Sequence, residues 1–344
     1  MNNLAKERNS SFELLRIISM GLILFFHFHC HVLQNSGDSL FRGIQIPLHI
    51  GVPIFVYISG YFEIRLTERS FARYVTKTGF YSLLILTITQ FINYFSTPNY
   101  SFNAKNILND IFFISRTDLW FVRAYFLLLI LSPFINNVLH SLKNKQLILF
   151  ITALSIGSTY FGLVSVDPHY ALGRNLIGFI MLYAIGNFVK RNEIFFNKVK
   201  TRTYLFLYCA CSVFLVALFM KIPAIQELLW KLSYGYYSLF MIPLSLFVFL
   251  GVKKVQFKSR TINYIASSAF AVYLIHENHN VNHYLYSVVS FLQEKLDIVT
   301  LYLALIGFAL LIFSFCIIID KATIKFQNYI SSKLEAVFKK ISFS

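Results

Sequence analysis

The sequence is poor in charged residues. Of its 344 residues only 13% are charged, whereas 57% are hydrophobic. Soluble domains carry about twice that share of charge. Several apolar runs reach the length of about 18 to 20 residues that a helix needs to cross a bilayer. This composition excludes an ordinary soluble domain and predicts an all-α, polytopic integral membrane helical bundle.

Cysteine is scarce, and the motifs of two large enzyme classes are missing. The four cysteines lie in apolar runs without disulfide or metal-ligand spacing, so we interpret them as buried thiols. The sequence contains neither a GxSxG elbow nor a phosphate-binding P-loop pattern. It therefore gives no support to a serine hydrolase or a nucleotide triphosphatase.

A metal site is weakly indicated at most. His27 and His31 are four residues apart, as are His279 and His283, which suits two ligands on one helix face. Neither pair has an assured third ligand, and HENH at 276–279 is not the HExxH pattern. We predict no metal, with a histidine-bound ion as the alternative.

Acidic residues are only half as frequent as basic ones, 15 against 31, and the net charge is +16. With the N-terminus inside, most Lys and Arg residues fall in the inner segments, as the positive-inside rule requires. They are spread over six segments, so we predict contact with anionic lipid headgroups rather than with nucleic acid. The pattern predicts about ten spans with both termini cytoplasmic. The predicted spans are 12–33, 47–62, 76–95, 119–139, 146–164, 172–189, 203–220, 232–251, 262–283 and 299–319.

The loops are short, so we predict one membrane-embedded domain over 1–344 without an appended soluble domain. The second span contains Pro47, Gly51, Pro53 and Gly60. Such residues predict either a simple kink or a broken helix that lines a cavity. A run within 96–118 and the lysine-rich stretch 321–340 both have amphipathic patterns, and we predict surface helices for them.

The first span carries ionisable groups that are expensive inside a membrane. Arg16 and His27 are eleven residues apart, almost three helical turns, so they share one face about 16 Å apart along the axis. Glu13 lies one turn before Arg16, and His31 lies one turn after His27. His29 points elsewhere. The structural alternative is that Arg16 reaches the interface and the histidines bond neighbouring helices. The shared face favours a functional site, with imidazole suited to proton transfer.

Four stretches, in this order, resemble the membrane-bound acyltransferase 3 family of polytopic O-acyltransferases. They are the Arg16–His27 spacing, GVPIFVYISGYF at 51–62, LWFVRAYFLLLILSPFIN at 119–136 and AFAVYLIHE at 269–277. The resemblance covers nearly the whole chain and agrees with ten spans and inner termini. Members of this family acylate polysaccharides, peptidoglycan and lipid-linked sugars.

The resemblance implies roles for particular residues. His27 would be the catalytic base or would carry the acyl group, Arg16 would bind the acyl-CoA donor or orient the site, and His276 would belong to the catalytic set in a role left open. Members of the family have an RxxR pair in the loop after the second span. In this sequence the basic residues of that loop are spaced by four instead. We predict that they bind the acyl-CoA donor: Arg65, Arg69, Arg73 and Lys77. The substrate-lining residues would be Glu13, His31, Ser59, Trp120 and Arg123.

The resulting hypothesis is a multi-pass O-acyltransferase of the bacterial cytoplasmic membrane. It would move an acyl group, with acetyl expected, from cytoplasmic acyl-CoA to a hydroxyl of a cell-surface glycan or lipid-linked sugar. Membrane lipids and polysaccharide-assembly proteins would be its partners. The alternative is a transporter or flippase of a glycan intermediate, since buried Arg and His beside broken helices suit that function too.

Overall fold

The computed structural model describes residues 9–96, 107–108, 119–164, 173–236, 238 and 240–342. Within these residues the chain is helical and contains no strand, which confirms the all-α prediction. The helices are α1 Ser10–His31, α2 Ser39–Leu48, α3 Gly51–Phe62, α4 Glu68–Ser96, α5 Trp120–Ser141, α6 Asn144–Thr159, α7 Leu176–Arg191, α8 Glu193–Asn197, α9 Thr201–Lys221, α10 Gln226–Tyr234, α11 Met241–Lys253, α12 Arg260–Ala266, α13 Ala269–His276, α14 His279–Lys295 and α15 Ile298–Ser342.

Six stretches of the described chain are long and apolar enough to cross a membrane. They are Ser10–Ser36, Ser39–Phe62, Glu68–Ser96, Trp120–Ser141, Thr201–Lys221 and Ile298–Lys340. Helix α11 is apolar but shorter. Each of the six stretches overlaps one of the ten predicted spans, although Ser39–Phe62 begins earlier than predicted and Ile298–Lys340 ends later. The count of ten and the orientation of the termini stay predictions.

Two regions near the C-terminus differ from the predicted spans. The region 262–283 is not one helix but is divided among α12, α13 and α14. The side chain of Asn278 accepts a hydrogen bond from the backbone N–H of Asn280, and this cap starts α14 after a break. By contrast, α15 continues for 45 residues, about 68 Å, through the stretch that predicted a separate surface helix. The amphipathic run within 96–118 lies almost entirely outside the described residues.

The chain forms two compact units. The first consists of Met1–Glu63 and Phe134–Ala269, and the second of Ile64–Pro133 and Phe270–Ser344.

In the first unit, α3 and α7 cross at very short range because each contributes a glycine. A Cβ on Gly60 would lie 2.0 Å from the carbonyl oxygen of Tyr183, and a Cβ on Gly186 would lie 2.3 Å from that of Tyr57. Only residues without a side chain allow backbones this close. On the other side of α3, a Cβ on Gly51 would meet a backbone oxygen of α1 at 2.6 Å. These contacts fix α1, α3 and α7 as one packed group.

Of the two alternatives for the second span, a kink or a break, the structure shows a break, because α2 ends at Leu48 and α3 begins at Gly51. Pro47 lies in the last turn of α2, and Pro53 lies in the first turn of α3, where a missing backbone N–H costs little. The break leaves His49 at the junction of the two helices.

In the second unit, α4 packs along α15. The rings of Phe71 and Phe338 meet with centroids 5.0 Å apart. Further along, the carboxylate of Asp320 accepts a hydrogen bond of 2.8 Å from the Tyr81 hydroxyl and pairs with the Lys77 ammonium at 3.1 Å. These contacts give one face of α15 a packing partner beyond its apolar part.

Candidate active site

Helix α1 carries Arg16 and His27 on one uninterrupted stretch. The helix starts at a cap in which the Asn9 side chain accepts a hydrogen bond from the Ser11 N–H. Because no break intervenes, the eleven-residue separation places the two side chains on one stripe, about 16 Å apart along the axis. Arg16 Nη1 lies 2.5 Å from Glu13 Oε1, and Glu13 is buried. A buried carboxylate therefore holds the guanidinium from the preceding turn.

The three histidines of α1 separate as predicted. His27 is buried, and the ring of His31, one turn later, meets it edge-on with centroids 5.6 Å apart. His31 itself is exposed. His29 is completely buried on another side, where its Nδ1 donates to the carbonyl oxygen of Phe25 at 2.8 Å and its ring faces Phe41 of α2.

His49 joins this group, which sequence reasoning did not foresee. It is only 3% exposed. Its ring stacks on Phe26 at 4.4 Å between centroids and meets Tyr236 at 4.5 Å. It lies within electrostatic reach of His27 and Arg174. In the sequence, His49 is distinguished only by its position in the Pro- and Gly-rich part of the second span. Its proximity to α1 results from tertiary packing, which the sequence pattern does not show.

Ser59 lies inside α3. Its hydroxyl donates to the carbonyl oxygen of Phe55, one turn earlier, at 3.1 Å. This bond is within its own helix, and the predicted lining role of Ser59 stays a prediction.

Three further predicted site residues belong to the second unit. Trp120 begins α5 and is half-buried, whereas Arg123, one turn later, is exposed. His276 ends α13 and is 1% exposed. Its Nδ1 donates to the carbonyl oxygen of Val272 at 2.7 Å, and its ring lies beside Tyr273. In the neutral form, this bond leaves Nε2 of His276 as the basic nitrogen.

The four basic residues assigned to the donor differ in their surroundings. Arg69 Nε pairs with Glu335 at 3.2 Å, and Lys77 pairs with the buried Asp320. Arg65 and Arg73 are exposed, and within the described part of the chain neither forms an ion pair. Arg65 and Arg73 can therefore offer their full charge to an anionic ligand, while the other two already face carboxylates.

A second polar cluster surrounds Glu193 at the start of α8. The Tyr61 hydroxyl donates to its Oε1 at 2.6 Å, Lys253 Nζ lies 3.2 Å from the same oxygen, and Lys190 Nζ lies 3.4 Å from Oε2. Partial burial alone raises the pKa of Glu193, but the hydrogen bonds from Tyr61 and Lys253 and the two ammonium charges outweigh it. The pKa of Glu193 is therefore held below its ordinary value.

The helices and the buried polar stripe of α1 define a multi-pass membrane protein. The family model for the acyltransferase domain of the acyltransferase 3 type matches residues 9–320, and the chain belongs to this family. No curated protein and no solved structure matches the chain. The protein is accordingly a membrane acyltransferase, which confirms the family that the four sequence motifs indicated.

Proposed function

We propose that this acyltransferase transfers an acyl group, with acetyl as the expected group, from cytoplasmic acyl-CoA to a hydroxyl of a cell-surface glycan or lipid-linked sugar. The proposal rests on one face of α1. This face presents the buried imidazole of His27 and, three turns earlier, the guanidinium of Arg16, which is paired with Glu13. An imidazole nitrogen can accept a proton and return it, which is what a general base must do. We expect the site to work in the bacterial cytoplasmic membrane beside proteins that assemble the glycan.

In the proposed reaction the neutral imidazole of His27 takes the proton of the acceptor hydroxyl. The hydroxyl oxygen attacks the thioester carbonyl, the new C–O bond forms, and the C–S bond breaks. The CoA thiolate then takes the proton from the imidazolium, so the products are an O-acyl ester and free CoA thiol. The second route, in which His27 first carries the acyl group and then passes it to the hydroxyl, gives the same products.

The protein would bind the phosphates of acyl-CoA on its cytoplasmic side. Of the four basic residues predicted to bind the donor, Arg65 and Arg73 are exposed and form no ion pair among the described residues. A guanidinium can bind phosphate oxygens in a bidentate manner. Highly charged CoA does not cross a bilayer unaided. We therefore expect the pantetheine arm to carry the acyl group into the bundle toward His27.

The direct test is His27→Ala in purified protein reconstituted with acetyl-CoA and a glycan acceptor. We expect acyl transfer, measured as CoA thiol release and as ester content of the glycan, to fall by about 100-fold or more. His283→Ala is the matched control, because His283 is an exposed histidine of α14. His29 is a poor control, since it is fully buried and hydrogen-bonded.

Near-normal transfer by a well-folded His27→Ala protein would return His27 to a packing role. In vesicles of defined orientation, acetyl-CoA should support transfer only from the cytoplasmic face, and equal activity from the outer face would contradict the donor route. Movement of a lipid-linked glycan without release of CoA thiol would favour the transporter alternative.

A further inference from the structure

Glu63, the residue directly after α3, has an unusual backbone conformation. Its φ is 57° and its ψ is 116°, and it is the one residue other than glycine with positive φ in the described part of the chain. Residues with a Cβ rarely adopt this region, and such strain persists only where the surroundings enforce it. A glycine would adopt the same conformation without strain, so the side chain at this position is accompanied by a local cost in backbone energy.

Side chains from α5 and α7 hold that carboxylate. Oε1 of Glu63 accepts a hydrogen bond of 2.8 Å from Asn187 Nδ2 on α7 and another of 2.8 Å from His140 Nε2 at the end of α5. Asn187 is buried, and its Oδ1 has no hydrogen-bond partner among the described residues.

The segment that follows Glu63 is tied at its other end. The Ser70 hydroxyl donates to the carbonyl oxygen of Arg65 at 3.0 Å. Thr67 and Ser70 also bond reciprocally, since the Thr67 N–H donates to Ser70 Oγ at 2.9 Å and the Ser70 N–H donates to Thr67 Oγ1 at 3.1 Å. The backbone carbonyl of Arg65 is one of these anchors, whereas its side chain is exposed. Hydrogen bonds therefore hold the Glu63 side chain on one side of Arg65 and the Thr67–Ser70 turn on the other, and the guanidinium is left for solvent or a ligand.

We propose that Glu63 is a positioning residue for donor binding. By anchoring the strained start of segment 63–67 to α5 and α7, it presents Arg65 to the phosphates of acyl-CoA. This role rests on the proposed function, because it assumes that acyl-CoA docks at the exposed arginines. A guanidinium whose backbone is already held in place loses less conformational entropy when phosphate binds.

The test measures steady-state kinetics of Glu63→Ala with acetyl-CoA varied. We expect the KM for acetyl-CoA to rise about tenfold, while kcat and the KM for the acceptor change less than about twofold. Glu63→Gln keeps the side-chain length and one acceptor oxygen, so its KM should fall between the wild type and Glu63→Ala. It also serves as the second variant if Glu63→Ala is poorly folded. Glu227→Ala is the matched control, because it removes a carboxylate that pairs with Arg42 and Lys231 far along the sequence.

A double-mutant cycle shows whether Glu63 acts through Arg65. In an Arg65→Ala background, adding Glu63→Ala should raise the KM by less than about twofold, because the residue it positions is gone. Additive effects, or an unchanged KM in Glu63→Ala and Glu63→Gln, would overturn the positioning role. Arg65→Ala with a wild-type KM would instead contradict the proposed donor site, so the two failures are distinguishable.

Discussion

The ion pair between Asp320 and Lys77 leads to the most sharply defined prediction about stability. Asp320 is fully buried between α15 and α4, while the Lys77 side chain is 18% exposed. The carboxylate meets the ammonium at 3.1 Å and the Tyr81 hydroxyl at 2.8 Å. Removing the carboxylate in Asp320→Leu leaves a largely buried ammonium without this counter-charge. The loss of one partner of a buried pair costs about 3–5 kcal/mol.

The paired variant should behave differently. Asp320→Leu combined with Lys77→Met replaces both charges by apolar side chains of similar volume, and such replacements are often neutral in stability. The Tyr81 hydroxyl still loses its acceptor, which costs about 1 kcal/mol. We therefore expect the double variant to be within about 1 kcal/mol of the wild type and clearly more stable than Asp320→Leu.

The assay is thermal unfolding in detergent, followed by tryptophan fluorescence, together with the KM for acetyl-CoA. Asp320→Leu should unfold several degrees below the wild type, and the double variant should recover most of that difference. We expect the double variant to keep the wild-type KM, because Asp320 already neutralises Lys77. Equal stability of Asp320→Leu and the wild type would refute the reasoning about the ion pair. A raised KM in a stable double variant would instead place Lys77 in the donor site, as the sequence analysis predicted.

Three further predictions concern packing, pH and topology. Gly60→Leu should abolish the folded state, because its Cβ would lie 2.0 Å from a carbonyl oxygen of α7. Gly307→Ala should be tolerated, because nothing lies within 4 Å of a Cβ at that position. Size-exclusion profiles of the two purified variants test this difference. The pKa of Glu193 is lower in the folded protein than in the unfolded chain, so its ion pairs stabilise the fold above the unfolded-state pKa. That stabilisation is lost as the pH falls through the folded-state pKa. Glu193→Gln should therefore make the free energy of unfolding depend less on pH on the acid side. In a background without the native cysteines, Asn35→Cys should react with an impermeant thiol reagent on intact cells and Ser332→Cys only after lysis, and the reverse result would contradict the predicted orientation.

The sequence alone was sufficient where the signal is local. Hydrophobic run length predicted an all-helical membrane protein, and six of the predicted spans overlap helical stretches long and apolar enough to cross a membrane. The 3.6-residue period placed Arg16 and His27 on one face and His29 on another, and α1 is continuous over all three. Four short motifs in order indicated the acyltransferase 3 family, which the match over 9–320 shows.

The tertiary structure decided what depends on the packing of distant segments. Lys77 and Asp320 are 243 residues apart, and nothing in the spacing of either residue identifies the other as its partner. His49 comes near His27 because the junction of α2 and α3 packs on α1, where the His49 ring stacks on Phe26. The division of 262–283 into three helices also escaped a hydropathy argument, because an apolar average does not register the backbone bonds and caps that end a helix. Periodicity and composition thus determined which residues share a helix face, whereas long-range packing determined which charges are paired and which, such as Arg65, remain available.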